Sequence, residues 1–254
     1  MKISYKAQTD VGRKRKGNED SVLTNPEQNL FVVADGMGGH AAGEVASKLA
    51  VEAINEFVCL TSGDQEITWP FGLEDNISYD GNRLKTAIRY ANRKVLEATK
   101  DRKDCEGMAT TVAAVLLDGD VANVAHVGDS RIYRYRDAEL CQLTSDHSWV
   151  NEQIQSGVIS ADQARTHPLR NVVTRALGGK ADLQVDLTPS TMLPGDILLL
   201  CSDGLTTMVP DEEIRSLIES AGGDVEKLAR DLVEEANARG GEDNITVLLI
   251  HFQE

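Results

Sequence analysis

Five acids in this chain stand where apolar runs stop or start. In VVADGMGGH (residues 32–40) a run ends at Asp35, and three glycines follow within four residues. VAHVGDS sets Asp129 after a run and beside a glycine, and LLLCSDG does the same for Asp203. Asp243, in GEDN, and Asp20, in NED, stand just before runs. Carboxylates and a backbone carbonyl are hard oxygen donors, suited to Mg²⁺, Mn²⁺ or Ca²⁺. Gly36 has no Cβ, so its backbone can approach an ion closely. Zinc is disfavoured, because His40, His126, His147, His167 and His251 show neither HExxH nor His-x-His spacing. No EF-hand loop is present. The competing reading is a turn. Asp-Gly occurs at 35, 80, 118 and 203, and any one of them reads more readily as a turn than as a ligand. Asp80, in a polar loop, and Asp118, in a tight hairpin, read as turns. For the five acids, ligand and turn both stay open on pattern alone.

The elements that must position these acids follow from periodicity. SVLT and LFVVA read as strands. Ala42, Val45, Ala46, Leu49, Ala53 and Phe57 fall on one helical face, and Leu84, Ala87, Ile88, Ala91, Val95 and Ala98 on another. A polar connection, 61–82, lies between them; packing against the domain is the reading for its TWPFG. A meander follows: TTVAAVLL, VANVAHV, SRIYRYR and ELCQLT. Residues 145–180 read as irregular or weakly helical. LQVDLT and DILLLCS are strand-like, two helices follow around Ile214–Ile218 and Val225–Ala236, and NITVLLIHF closes the chain. Pro210 and the acids after it suit a helix's first turn. Hairpin-linked strands interleaved with two helix pairs favour antiparallel sheets with helices on the outer faces.

The bulk numbers restrict partners. At 254 residues with no Pro- or Ser-rich linker, the chain reads as one domain, 1–254. A net charge of −15 argues against nucleic acid or an anionic membrane as the main partner. A phosphorylated substrate stays open, because bound divalent cations neutralise acids. No apolar run approaches a membrane span, and MKISYKAQTD lacks the apolar core of a signal peptide. Cys59, Cys105, Cys141 and Cys201 have no CxxC spacing and fit reduced thiols in the cytoplasm. None has an arginine six residues later, so a cysteine-phosphatase nucleophile is not expected.

RKRKGNEDS, VVADGMGGHAAGEVAS, ATTVAAVLL, VAHVGDSRIYRYR, LTSDHS, HPLRNVVTRALGG, LLLCSDGLTTMV and GGEDNITVLLI occur in an order that resembles the bacterial metal-dependent Ser/Thr protein phosphatases of type 2C. The resemblance covers nearly the whole chain. It implies an α+β fold, a four-layer α/β/β/α sandwich of two antiparallel sheets flanked by helix pairs, with 145–180 as a flap. Asp35 resembles the acid bridging two core ions, Mn²⁺ or Mg²⁺, with the Gly36 carbonyl beside it. Asp203 and Asp243 look like ligands completing the second ion. Glu19 and Asp20 look like acids holding metal-bound waters. Asp129 resembles the ligand of a third, weaker ion, with Asp203 shared. Arg15 looks like the phosphate clamp, although within RKRK a solvated basic run is the plain alternative; Arg13 and Lys16 keep that plain reading.

The reaction implied is hydrolysis of phosphoserine and phosphothreonine by a water bridging two cations, with the transferring charge stabilised by the cations and Arg15. The partners implied are phosphoproteins, including a Ser/Thr kinase that the enzyme opposes; a monomer is expected. No general acid carries over, because Met37 stands where several eukaryotic relatives have His. His40 reads as a site hydrogen-bonder or a helix cap, and Glu44 as an outer partner of the ligands or a first-turn acid. Two alternatives remain: a phosphohydrolase of small metabolites, and a non-catalytic regulatory protein, which would be expected had the metal acids been missing.

Overall fold

The computed structural model describes residues 1–38, 41–63, 70–101, 105 and 107–254. The chain runs β1 Lys2–Asp10, β2 Asp20–Asn25, β3 Leu30–Met37, α1 Ala41–Leu60 and α2 Tyr79–Asp101. The meander is β4 Ala109–Thr110, β5 Val112–Asp118, β6 Val121–Val127, β7 Arg131–Arg136 and β8 Glu139–Gln142. Then come α3 Trp149–Gln155, α4 Ala161–Arg165, β9 Asp186–Thr191, β10 Ile197–Cys201, α5 Asp203–Thr206, α6 Asp211–Ala221, α7 Val225–Ala238 and β11 Ile245–Gln253.

Two antiparallel sheets result. One has the order β1-β11-β10-β7-β8, the other β2-β3-β5-β6-β9 with β4 added on β3. The central strands are apolar on both faces because both are covered. In β3, Phe31 and Val33 enter the layer between the sheets, while Leu30, Val32 and Ala34 face the helices. In β11, Leu248, Ile250 and Phe252 enter the same inter-sheet layer, and Ile245, Val247 and Leu249 face the other helix pair. The period of two along a strand thus sorts side chains into three apolar layers. The helices α1 and α2 cover the second sheet, and α6 and α7 cover the first. Local signals set their ends. The Asp224 side chain accepts the N–H groups of Glu226 and Lys227 at the start of α7, and α6 stops at Gly222, left-handed at φ 59°.

Several expectations need correcting. β1 has no counterpart in the sequence reading; it is an edge strand, mostly half-buried, with Ile3 and Ala7 packed inward and the Tyr5 ring edge-on to Phe31. The strand expected at LQVDLT starts later, at Asp186, and runs through Pro189, which an edge position tolerates. Asp80 is no turn residue: it sits in the first turn of α2, where its charge suits the helix dipole, and it pairs with Arg83. Asp118-Gly119 is the expected hairpin turn, with Gly119 at φ 61°. Of TWPFG, Thr68 and Trp69 lie outside the described residues, and Pro70, Phe71 and Gly72 are exposed rather than packed. Residues 145–180 hold α3 and the short α4. No described helix is long and apolar enough to cross a membrane.

Candidate metal centre

The inter-sheet layer ends in acids. Asp20 on β2 lies directly opposite Asp35 on β3, so both side chains share the inward face that Val22 and Val33 occupy two residues along. From the other sheet, β10 ends at Cys201, Ser202 stands just before α5 without a side-chain capping bond, and Asp203 is the helix's first residue. The Ser202 hydroxyl donates across the sheets to Asp20 Oδ2 at 2.7 Å and accepts the Thr246 N–H at 3.0 Å. Asp243 precedes β11 and its Oδ1 accepts the Asn244 N–H at 2.8 Å. Asp129 sits in the turn between β6 and β7. Its neighbour Ser130 bonds Thr111 at 2.6 Å, and Thr111 Oγ1 accepts the Asp35 N–H at 3.0 Å.

The loop 11–18 that carries Arg15 is a turn, not an extended segment. Asn244 anchors it: the side chain donates to the carbonyls of Val11 and Gly17 and accepts the Glu19 N–H. Arg15 reaches over to Asp243, Nη2 to Oδ2 at 2.6 Å, while half of its side chain stays in solvent. Arg13 is also exposed, and among the described residues its side chain forms no ion pair.

Gly36 has a packing reason in addition to the one expected. A Cβ there would lie 2.1 Å from the Gly43 carbonyl and 2.6 Å from that of Glu19. The missing side chain therefore lets β3 pack against the start of α1 and against residue 19. The Gly36 N–H donates to the Glu19 carbonyl at 3.1 Å. Gly43 leaves room for the Glu19 carboxylate, since a Cβ there would meet Oε2 at 2.2 Å. Glu44 is exposed in the first turn of α1, which fits the helix-dipole reading. His40 lies outside the described residues.

Without a cation these acids disfavour each other's charge. Burial pushes Asp20 up to about 7, with Asp203 and Asp243 adding to it and hydrogen bonds from Thr246 and Ser202 opposing it. Burial, with Asp203 and Asp146, pushes Asp129 up to about 7. Burial, with Asp243, takes Asp203 to about 6. Asp35 stands well above the usual carboxylate range, from burial and from the charges of Asp20, Asp203, Asp129 and Asp243. Among the described residues, Asp20 Oδ1 and Asp203 Oδ1 are buried with no hydrogen-bond partner. Buried acceptors facing like charges fit a site for hard divalent cations.

Beside them opens a cleft of about 130 Å³, lined by Arg15, Asn171, Asp203, Thr207, Met208 and Asp243. The arrangement brings a guanidinium and an acid cluster to one cleft, suited to an anion that bridges bound cations. Sequence reasoning missed Asn171, from the 145–180 segment, and the residues that hold the acids: Ser202, Thr111 and Asn244. A small polar residue next to Asp203 and to Asp243 was the available signal for Ser202 and Asn244; Thr111 adjoins no acid in the sequence and had none.

Comparison with known proteins gives a consistent picture. The model of the protein phosphatase 2C family matches residues 12–248. A serine/threonine phosphatase, stp, of Listeria welshimeri is 40% identical over 249 residues, 95% of this chain and 93% of that protein. The serine/threonine phosphatase PstP/Ppp of Mycobacterium tuberculosis superposes with a TM-score of 0.85 at 37% identity, covering 99% of each chain. A PstP catalytic-domain structure in complex with two manganese ions superposes with a TM-score of 0.84 at 34% identity, again over 99% of each chain.

Proposed function

The chain belongs to the protein phosphatase 2C family, and from that premise we propose that it hydrolyses phosphoserine and phosphothreonine in proteins, with Mn²⁺ or Mg²⁺ in the acid cluster. The observation that carries this reading is the pair of buried, unpartnered carboxylate oxygens, Asp20 Oδ1 and Asp203 Oδ1, beside a cleft that Arg15 lines. In this reading Asp35, the Gly36 carbonyl, Asp203 and Asp243 would hold the two cations. Asp20 and Glu19 act through water. The Asp20 carboxylate suits this, because Oδ2 already takes the Ser202 hydroxyl and Oδ1 is left over. Asp129, with Asp203, would hold a third and weaker ion.

When bound, the cations supply Lewis acidity and lower the pKa of water. Asp243 and Arg15 neutralise one another in the cation-free site, and Arg15 offers its remaining N–H donors to a phosphate in the cleft. Segment 145–180 is a flap whose Asn171 borders the cleft within one catalytic domain, 1–254. The substrates are phosphoproteins, a Ser/Thr kinase among them, and the four unpaired cysteines accord with a reducing cytoplasm.

The test is hydrolysis of a phosphothreonine peptide and of a phospho-sugar by the metal-stripped chain, with Mn²⁺, with Mg²⁺ and with excess EDTA. The proposal expects turnover of the peptide that needs the cation and returns when it is restored. Turnover of the phospho-sugar alone would replace it with the metabolite reading. No turnover of either by folded, metal-loaded protein would favour a regulatory role.

A further inference from the structure

His147 is gripped on every side, yet the proposed reaction does not use it. We propose that His147 is a positioning residue that fixes the turn carrying Asp129 against the base of the 145–180 segment. The inference rests on the reading of Asp129 as a metal ligand. Asp129 follows Gly128, whose φ of 108° and missing Cβ are both required: a Cβ would lie 2.5 Å from Thr111 Cγ2. A glycine has no side chain with which to hold its own place. His147 holds it twice. Its backbone N–H donates to the Gly128 carbonyl at 2.9 Å, and its Nδ1 accepts the Gly128 N–H at 3.0 Å.

That second bond assigns the ring's tautomer, because an accepting Nδ1 puts the proton on Nε2. Nε2 faces Asp186 Oδ2 at 3.2 Å and donates to it, while Asp186 Oδ1 accepts from Arg175 at 2.7 Å. His126 stacks on the His147 ring, centroids 4.6 Å apart, and its Nε2 bonds the Ser145 carbonyl at 2.9 Å. Burial, with the neighbouring His126, pushes His147 down to about 4, so its ring stays neutral and its Nδ1 stays an acceptor at physiological pH.

The same residue joins the two ends of the segment. The Thr174 N–H donates to the His147 carbonyl at 2.8 Å, and the Trp149 N–H donates to the Val172 carbonyl at 2.9 Å. Asn171, next in line, borders the acid cleft. His126, His147 and Asp186 bring their ligand atoms within 4.8 Å of one another, a set that suits zinc by residue type. Their bonds argue for positioning instead. The Nδ1 lone pair of His147 is spent on Gly128, the Nε2 proton on Asp186, and Arg175 already neutralises that carboxylate.

The two ring nitrogens can be tested separately in the full chain. His147→Asn keeps an acceptor where Nδ1 lies; His147→Gln keeps an amide where Nε2 lies and loses the bond to Gly128. Asp186→Ala, at a half-exposed side chain, frees the ring without opening the core. The readouts are amide hydrogen exchange at Gly128 and Thr174 and calorimetric Mn²⁺ titration. The inference predicts that His147→Gln speeds exchange at Gly128 and weakens the weakest Mn²⁺ site by about 10-fold, the loss typical when an outer partner of a ligand is removed. It predicts that His147→Asn stays close to the parent and that Asp186→Ala falls between. Parent-like exchange in His147→Gln, or equal damage in the Asn and Gln variants, would overturn it. So would parent-like exchange in Asp186→Ala should the Gln variant not fold. If the parent shows no weak Mn²⁺ site while Gly128 exchange still follows the Nδ1 acceptor, the grip of His147 on the turn is upheld and only the reading of Asp129 fails.

Discussion

Asp20 and Asp35 face each other across adjacent antiparallel strands, an arrangement that costs free energy until positive charge comes between them. Asp203 approaches from the other sheet with one oxygen buried and unpartnered. Asp203→Asn removes the charge of a proposed ligand but also relieves repulsion. We expect turnover to fall by at least about 100-fold, the upper end of what losing a mere outer partner costs, while the Tm of the metal-free protein holds or rises. Steady-state kinetics and a thermal melt on the same sample check this, and wild-type turnover would refute the ligand role. Arg15→Ala should raise KM about 10-fold with a smaller change in kcat, because it removes the charge-assisted phosphate contact proposed for it. An unchanged KM would return Arg15 to a solvated basic run. The acids were legible in the sequence because a carboxylate at the end of an apolar run is conspicuous. Ser202 and Asn244 were not, because Ser and Asn beside an acid look like ordinary turn residues, and Thr111 was not, because it meets Asp35 only through strands far apart in sequence.

At the scale of elements, the site depends on how closely β3 approaches α1. Gly36→Ala would set a methyl against two backbone carbonyls, which cannot rotate away as a side chain would. The expected cost is about 1–3 kcal/mol, read as a lower denaturant midpoint with an unchanged slope. Stability equal to the parent's would contradict the packing reason for that glycine. The doubly covered strands were legible as continuous apolar runs, and the long helices as stripes of apolar residues. β1 was not, because an edge strand half-open to water carries no run and only weak alternation. α5, at four residues, is too short to show a period at all. Asp80-Gly81 misled because the dipeptide that makes turns also suits a helix's first turn.

For the molecule as a whole, the acids tie stability to pH. In the metal-free fold Asp20 and Asp129 titrate near 7, Asp203 near 6 and Asp35 higher than a usual carboxylate, against an ordinary 3.8 in the unfolded chain. The folded state therefore holds more protons across that window, so this contribution is present below pH 3.8 and lost as pH rises through about 7. His126 and His147, pushed down in the fold, act in the opposite sense below their usual 6.5, but four acids outnumber two imidazoles. We expect the metal-free Tm to be several degrees lower at pH 8 than at pH 6, and saturating Mn²⁺ to remove the difference, because bound cations then replace the protons. A melt that ignores pH without metal would contradict this. The proposed function stands or falls on whether these acids hold the cations that the hydrolysis needs. The measurement that tests it most directly is calorimetric titration of Mn²⁺ into the metal-stripped chain at pH 7, in two buffers of different ionisation enthalpy, with Asp35→Asn alongside. We expect binding that expels roughly one proton or more and is lost in the variant; no binding, or binding without proton release that survives Asp35→Asn, would overturn the metal role of these acids.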